Sequence, residues 1–175
     1  LLLWQDFLFA NMDYPLDDAP FAEAAREAAV QQLARWQARP SVAVLCGNSE
    51  ASQQAAMWGA PRGQWLPAWF GHELRAMCAD WCPDVPYWPS SAHGGAFPHR
   101  NDAGTTSYYG VGAYLRPLED ARRSGTRFAT ECLALANVPS DAALARMPGG
   151  AAVRVHQAAW RERAPRDLGA GWDFD

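Results

Sequence analysis

Two glutamates, Glu50 and Glu131, are the residues whose type and placement most directly suggest chemistry. Glu50 follows the short apolar run 42–46, and Glu131 ends the run 126–131; both runs have the pattern of a strand. Because the carboxyl ends of parallel strands meet at one edge, the two carboxyls can converge although 81 positions separate them. Such a pair can cleave a glycosidic bond, one group protonating the leaving oxygen and the other attacking the anomeric carbon. Strand-ending glutamates are common, so the spacing alone indicates this chemistry only weakly.

The elements that would position these residues alternate along the chain. An Asp18 cap and Pro20 in the first turn favour a helix after the first strand. The pattern predicts strands or extended segments at 1–9, 42–46, 86–91 and 126–131, and helices at 21–37, from about 52, at 65–80, at 115–124 and at 141–146. Strand–helix alternation predicts an α/β fold with a parallel sheet and right-handed crossovers. The sequence contains no obvious linker, which favours one domain.

The composition excludes several classes of protein. Hydrophobic residues make up 49% of the chain and charged residues 19%, which excludes a disordered polypeptide. The net charge is −4 without a basic block, so no nucleic-acid partner is expected. No apolar run approaches the roughly 20 residues that span a bilayer, so no membrane partner is expected either. The nine tryptophans suit stacking on sugar rings, although core packing is favoured for any single one.

The four cysteines do not indicate a metal site. Cys46 and Cys132 lie in apolar strand-like runs and are expected to be buried thiols. Cys78 and Cys82 would share one face of a helix, but nothing supplies two further ligands at zinc-like spacing. We therefore predict neither a metal nor a cofactor. Nothing in the cysteine pattern demands an oxidising compartment, which slightly favours the cytoplasm.

Several short motifs occur in a defined order between Leu1 and about Pro139. They are Trp4–Ala10, Tyr14–Pro15, Arg39–Val42, Gly47–Glu50, Tyr87–Ser91 with His93–Gly95, Tyr109–Val111 and Arg127–Glu131. Together they resemble glycoside hydrolase family 2, in its β-mannosidase-like branch. The ordered set is specific, although each motif alone would not be.

The resemblance implies a (β/α)₈ TIM barrel that hydrolyses a β-glycoside with retention. It implies that Glu50 is the acid/base and Glu131 the nucleophile. Trp58 matches a tryptophan that lines the sugar site, and Trp88 matches a residue near the site floor. Tyr108 or Tyr109 matches a tyrosine that hydrogen-bonds the nucleophile. The further candidates for substrate binding are Trp4, Asp6, Asn48 and Ser49. Asp6 could equally anchor the loop that follows it.

The sequence departs from the family pattern beside both glutamates. The family normally has an asparagine directly before the acid/base, where it binds the sugar 2-hydroxyl, and this chain has Ser49 there. Asn48 stands one position earlier, and in an extended segment its side chain points to the other face. Cys132-Leu133 follows Glu131 where the family has an aromatic residue and glycine. Ser107 stands where a histidine is common.

These features favour a retaining β-glycosidase that takes a β-linked oligosaccharide or glycoside, with β-mannosides as the favoured substrates. We expect the chain to be a fragment of one catalytic barrel domain, roughly strands three to seven, truncated at both ends and partnered by the remaining domains of a longer protein. The isolated 175 residues are then expected to be inactive and poorly stable, because the open edges of an incomplete barrel stay uncovered. The alternatives are a β-galactosidase, β-glucuronidase or exo-glucosaminidase of the same family, or a carbohydrate-binding protein that has lost catalysis.

Overall fold

A computed structural model of the chain describes residues 1–11, 13–132, 140–153 and 157–162. It confirms a mixed α/β structure. The elements are β1 (Leu3–Asp6), α1 (Ala19–Trp36), β2 (Val42–Cys46), α2 (Ala51–Met57), α3 (Leu74–Trp81), β3 (Tyr87–Trp88), β4 (Thr106–Tyr108), α4 (Leu118–Arg123), β5 (Ala129–Cys132), α5 (Asp141–Leu144) and α6 (Ala158–Arg161). Leu133 and the end of the family-like region up to Pro139 lie outside the described residues. Within the described ranges, no helix is long and apolar enough to cross a membrane.

The strands form two small sheets. β1, β2 and β3 are parallel and lie in that order, with Asp6 opposite Cys46 and Cys46 opposite Trp88. The carboxyl ends of these three strands are therefore level with one another. β4 and β5 pair with each other in a second sheet. The partial barrel expected from the resemblance stays a prediction, because two separate small sheets do not by themselves define one.

The chain divides into two compact units. The first consists of Leu1–Ser107 and Ser124–Glu131, and the second of Tyr108–Arg123 together with the described part of Cys132–Asp175. The first unit holds β1–β3 and both glutamates. In the second unit, the side chain of Ser140 caps α5 by accepting a bond from the Ala143 amide.

Helix α1 forms where its caps and apolar spacing predict it. The Asp18 side chain accepts a hydrogen bond from the Phe21 amide at 3.1 Å, and Pro20 lies in the first turn. Ala25, Ala29 and Leu33 recur at helical spacing and are buried. They pack into the core of the first unit, which also contains Phe7, Phe9, Leu45, Trp69, Phe70 and Leu74. This helix therefore packs into the same core as β2 and α3.

The segment predicted as a helix over 65–80 is built differently. Residues Trp69–Glu73 form a turn of π-helix, in which the Leu74 amide bonds the Trp69 carbonyl oxygen, and α3 begins only after it. The wider turn accompanies the burial of two large neighbouring rings, Trp69 and Phe70. Hydrophobic periodicity alone does not signal this change of helix type.

Strand boundaries differ more than helix boundaries. The pattern predicts a strand over 1–9, but β1 covers only Leu3–Asp6, and Leu1 and Leu2 are exposed. The predicted strand is therefore too long at both ends. β4 was not predicted, because three residues between glycine-containing segments give no readable alternation.

Gly47 lies in the turn between β2 and α2 and has no room for a side chain. A Cβ atom there would collide with the Tyr87 hydroxyl and the Pro89 carbonyl oxygen. We expect Gly47→Ala to lower the free energy of unfolding by about 1–3 kcal/mol, because the clash displaces backbone beside a packed core. Urea unfolding measures the change. Gly63→Ala is the matched control, since nothing lies within 4 Å of its added Cβ. Equal effects at the two positions would contradict the expectation.

Candidate active site

The parallel pairing continues past the ends of the strands. The Ser49 amide donates to the Phe9 carbonyl at 2.8 Å, and the Ser91 amide donates to the Asn48 carbonyl at 2.9 Å. The Glu50 amide donates to the carbonyl of Ser91. The segments after β1, β2 and β3 are thus held together by backbone bonds, which fix the path of the chain at Ser49 and Glu50.

Glu50 has an unusual backbone conformation. It lies directly before α2 with φ 63 and ψ −4, in the left-handed region. This region costs a residue other than glycine roughly 1–2 kcal/mol, and such residues are concentrated at functional sites. Its half-buried carboxylate accepts a bond from Gln53 Nε2 at 3.2 Å.

Ser49 and Glu131 are in direct contact. The Ser49 hydroxyl donates to Glu131 Oε1 at 2.7 Å, across 82 positions of sequence. Both side chains are half-buried, and Glu131 lies in β5. The residue before Glu50 is therefore hydrogen-bonded to Glu131, which links the turn after β2 to β5. The separation of the two carboxyl groups stays a prediction.

The side chain of Asn48 is buried in the interior of the protein. Its side chain is 0% exposed and makes three bonds within the chain. Nδ2 donates to the Pro89 carbonyl at 3.1 Å, and Oδ1 accepts from the Ala51 amide at 3.1 Å and from the Ser90 hydroxyl at 2.6 Å. The amide thus supports the turn and the first amide of α2, and a contact with substrate would require these bonds to break.

Asp6 and Trp4 form a second polar group at the same edge. The Trp4 indole N–H donates to Asp6 Oδ1 at 2.8 Å, and the Ser91 hydroxyl donates to Asp6 Oδ2 at 3.4 Å. The ring of Trp4 lies 5.6 Å from that of Phe128, between centroids. Because Phe128 directly precedes β5, this contact also links the β1 end to the segment that carries Glu131.

Trp88 is fixed on the neighbouring strand end. Its indole N–H donates to Thr105 Oγ1 at 3.0 Å, and its ring meets His93 edge-to-face at 5.6 Å. Burial, with a smaller contribution from Arg75, lowers the pKa of His93. The imidazole beside Trp88 is therefore neutral at pH 7.

The remaining predicted site residues have distinct surroundings. Trp58 directly follows α2 and is 74% exposed, as a ring that is available for stacking would be. In the second unit, the buried Tyr108 hydroxyl donates to Asp120 Oδ2 at 2.6 Å. Burial and the Asp120 carboxylate raise the pKa of Tyr108. A bond from Tyr108 or Tyr109 to the nucleophile stays a prediction.

The cysteines differ strongly in their environment. Cys46, Cys78 and Cys82 are buried, whereas Cys132 is exposed, contrary to the expectation of a buried thiol. Burial raises the pKa of Cys46, to which Asp6 contributes, and burial raises the pKa of Cys78 to about 12. Among the described residues, no group of three or more His, Cys, Asp or Glu could hold a metal ion.

Sequence reasoning missed several supporting residues. They are Ser90, which bonds Asn48; Gln53, which bonds Glu50; and Thr105, which bonds Trp88. Ser90 carries a usable signal, because polar residues at the carboxyl end of a parallel strand face the ligand edge in open α/β sheets. Gln53 also had a signal, since it is three residues past Glu50 on a helix. Thr105 had none.

Comparisons with known proteins show that the chain is similar to parts of β-mannosidases. No protein-family model matches the chain. It is 33% identical over 107 residues to β-mannosidase B of Thermothelomyces thermophilus, covering 54% of this chain and 12% of that protein. It is 37% identical over 59 residues to the β-mannosidase of Capra hircus, covering 34% of this chain and 6% of that protein.

A solved structure agrees with the sequence matches. The crystal structure of the β-D-mannosidase from Dictyoglomus thermophilum matches with a TM-score of 0.65 and 28% identity, covering 73% of this chain and 16% of that chain. The chain is thus similar to a part of glycoside hydrolases. The resemblance to the β-mannosidase-like branch of family 2 is confirmed. In each case the chain spans only a small share of the relative's length.

The network around Asn48 yields a stability prediction. Asn48→Ala should lower the free energy of unfolding by about 2–3 kcal/mol, because the Ala51 amide and the Ser90 hydroxyl lose their acceptor in a buried position. Urea unfolding measures the loss. The control is Asn101→Ala, which removes one side-chain acceptor for Thr106 at a half-buried site and should cost about 1 kcal/mol. If Asn48→Ala lowers the free energy of unfolding less than Asn101→Ala does, the Asn48 side chain does not stabilise the turn as proposed.

The left-handed conformation of Glu50 yields a second prediction. Glu50→Gly should be more stable than Glu50→Ala by about 1 kcal/mol or more, because glycine adopts positive φ without steric cost. Thermal or urea unfolding of the two variants compares them. At Gln53, inside α2, the order should reverse, with alanine more stable than glycine by about 1 kcal/mol. The same order at both positions would refute the strained conformation.

Proposed function

We propose that the gene product containing this chain is a retaining β-glycosidase that acts on β-mannosides. The chain would supply roughly strands three to seven of its catalytic (β/α)₈ barrel. The similarity to two β-mannosidases and to a β-D-mannosidase structure supports the class of reaction. The substrate preference follows from the same resemblance.

One observation carries the proposal. The Ser49 hydroxyl bonds Glu131 Oε1 at 2.7 Å, although the two residues lie far apart in sequence. Since Glu50 is the next residue along the chain, this bond ties the segments of the two glutamates together. Retaining glycosidases need two carboxyl groups about 5–5.5 Å apart, and a bond between the two segments favours such a separation.

The proposed mechanism is a double displacement. Glu131 attacks the anomeric carbon and forms a glycosyl ester while the bond to the leaving oxygen breaks. Glu50 donates its proton to that oxygen. Glu50, now a carboxylate, then takes a proton from a water molecule, whose oxygen attacks the anomeric carbon and releases Glu131. Each glutamate therefore ends the cycle in the state in which it began.

Ser49 would act as a positioning residue in this mechanism. Its hydroxyl holds one oxygen of Glu131, and a serine side chain is shorter than the asparagine of the family. Asn48 does not replace that asparagine, because its amide is bonded within the turn. The sugar 2-hydroxyl would accordingly be recognised differently in this protein.

Covalent trapping tests the proposal. Incubation of the complete gene product with 2-deoxy-2-fluoro-β-mannosyl fluoride should label the peptide that contains Glu131, as read by mass spectrometry. Glu131→Gln should abolish the label. Glu50→Gln should lower kcat on substrates with poor leaving groups by about 10²–10⁴-fold, since such leaving groups need the proton. Glu27→Gln, an exposed glutamate on α1, is the control and should behave as the unmodified protein.

The contrary outcomes are specific. Binding of β-mannosides without label at Glu131 would indicate a carbohydrate-binding protein that has lost catalysis. Labelling by the corresponding galactosyl, glucuronyl or glucosaminyl reagents in preference to the mannosyl reagent would move the activity to another branch of the family. A label on a different carboxyl would refute the assigned roles.

A further inference from the structure

The backbone of Glu50 is held by hydrogen bonds on both sides. Its amide donates to the Ser91 carbonyl, and its carbonyl accepts a bond from the Gln54 amide at 2.9 Å. These bonds fix the backbone but leave the torsions of the side chain, which in a glutamate can adopt several staggered rotamers. A proton transfer requires one particular rotamer, because the carboxyl must lie within hydrogen-bond reach of the oxygen that receives the proton.

The start of α2 leaves two polar side chains without a capping role. In a capping box, the residue before a helix bonds the third helical amide, and the third helical residue bonds back to the amide of the first. Glu50 and Gln53 hold these two positions. However, the Glu50 side chain makes no capping bond, and the Glu50 amide is bonded to the Ser91 carbonyl. Since Asn48 Oδ1 caps the Ala51 amide instead, the side chains of Glu50 and Gln53 are available to each other.

Gln53 bonds the carboxyl group of Glu50 directly. Its Nε2 donates to Glu50 Oε1 at 3.2 Å, and both side chains are half-buried. Among the described residues, Gln53 is the one group that hydrogen-bonds this carboxyl. When the carboxyl is protonated, an N–H donor keeps the carbonyl oxygen as its acceptor, so the proton lies on the other oxygen. The bond from Gln53 therefore selects a rotamer of Glu50 and leaves Oε2 to carry the proton.

Building on the proposed function, we propose that Gln53 is the positioning residue of the acid/base and that both proton transfers take place at Glu50 Oε2. In the first step, the Oε2–H bond breaks and its proton passes to the departing oxygen as that oxygen leaves the anomeric carbon. In the second step, an O–H bond of the attacking water breaks and its proton returns to Oε2. Gln53 exchanges no proton and acts through Glu50. Misplacing a catalytic group by about 1 Å can cost ~10²-fold in rate, and we expect about tenfold for the loss of this single bond.

Two aryl β-mannosides test this role in the complete gene product, because kcat/KM reports on the first step. The phenyl leaving group needs the proton from Glu50, whereas 2,4-dinitrophenolate departs without it. Gln53→Met keeps the length and the helix propensity of the side chain and removes the donor. It should lower kcat/KM for the phenyl substrate about tenfold and leave that for the dinitrophenyl substrate unchanged. Gln54→Met is the matched control and should alter neither substrate, since Gln54 lies on the same helix and bonds Asn11 instead.

The outcomes separate the role of Gln53 from the proposed function. If Gln53→Met lowers kcat/KM for both substrates equally, or for neither, the positioning role is refuted, because a loss of folded protein would reduce both alike. If the unmodified gene product hydrolyses neither substrate, the proposed function fails, and the position of the Glu50 carboxyl decides the inference. In crystal structures of the complete gene product, this carboxyl should then move in Gln53→Met and keep its position in Gln54→Met. An unmoved carboxyl in Gln53→Met would overturn the inference.

Discussion

The buried side-chain amide of Asn48 fixes the turn between β2 and α2, and the geometry of the candidate site depends on that turn. It joins three neighbours, namely the backbone after β3, the Ser90 hydroxyl and the first amide of α2. A charged or apolar residue could not satisfy all of these groups at once, because the site needs one donor and an oxygen that accepts twice. The strand ends and the helix that follows are thereby set at a fixed geometry. This geometry also fixes the backbone positions of Ser49 and Glu50, which follow Asn48 in the chain.

The two neighbours of Asn48 show what this fixed turn accomplishes. In an extended segment, adjacent side chains point to opposite faces, so an inward Asn48 directs Ser49 toward Glu131. Glu50 then takes a left-handed conformation directly before α2. The conformational cost at Glu50 is met by bonds made elsewhere in the turn, which is how strained residues persist at functional sites. The departure of Ser49 from the family pattern therefore does not disconnect the two strand ends.

Elements that are formed by interactions between neighbouring residues were predictable from the sequence. Elements that depend on contacts between distant segments were not. Helix α1 was predictable because Asp18, Pro20 and the alanine–leucine face are local signals. The π-helical turn at Trp69 and the short strand at Thr106 were not, since they depend on packing and pairing with distant segments. The glutamates were found through the ordered motifs rather than through spacing. Their supporting bonds from Ser49 and Gln53 required the structure, because the sequence does not give the partner of a polar side chain.

The division of the cysteines between interior and surface has a practical chemical consequence. Nucleophilic reactivity of cysteine requires the thiolate, and burial keeps Cys46 and Cys78 as neutral thiols at physiological pH. Cys132 is exposed and directly follows Glu131. Alkylating or oxidising reagents would therefore react first beside the glutamate and spare the core. A spectroscopic probe attached there would report on the proposed nucleophile's strand without an engineered cysteine.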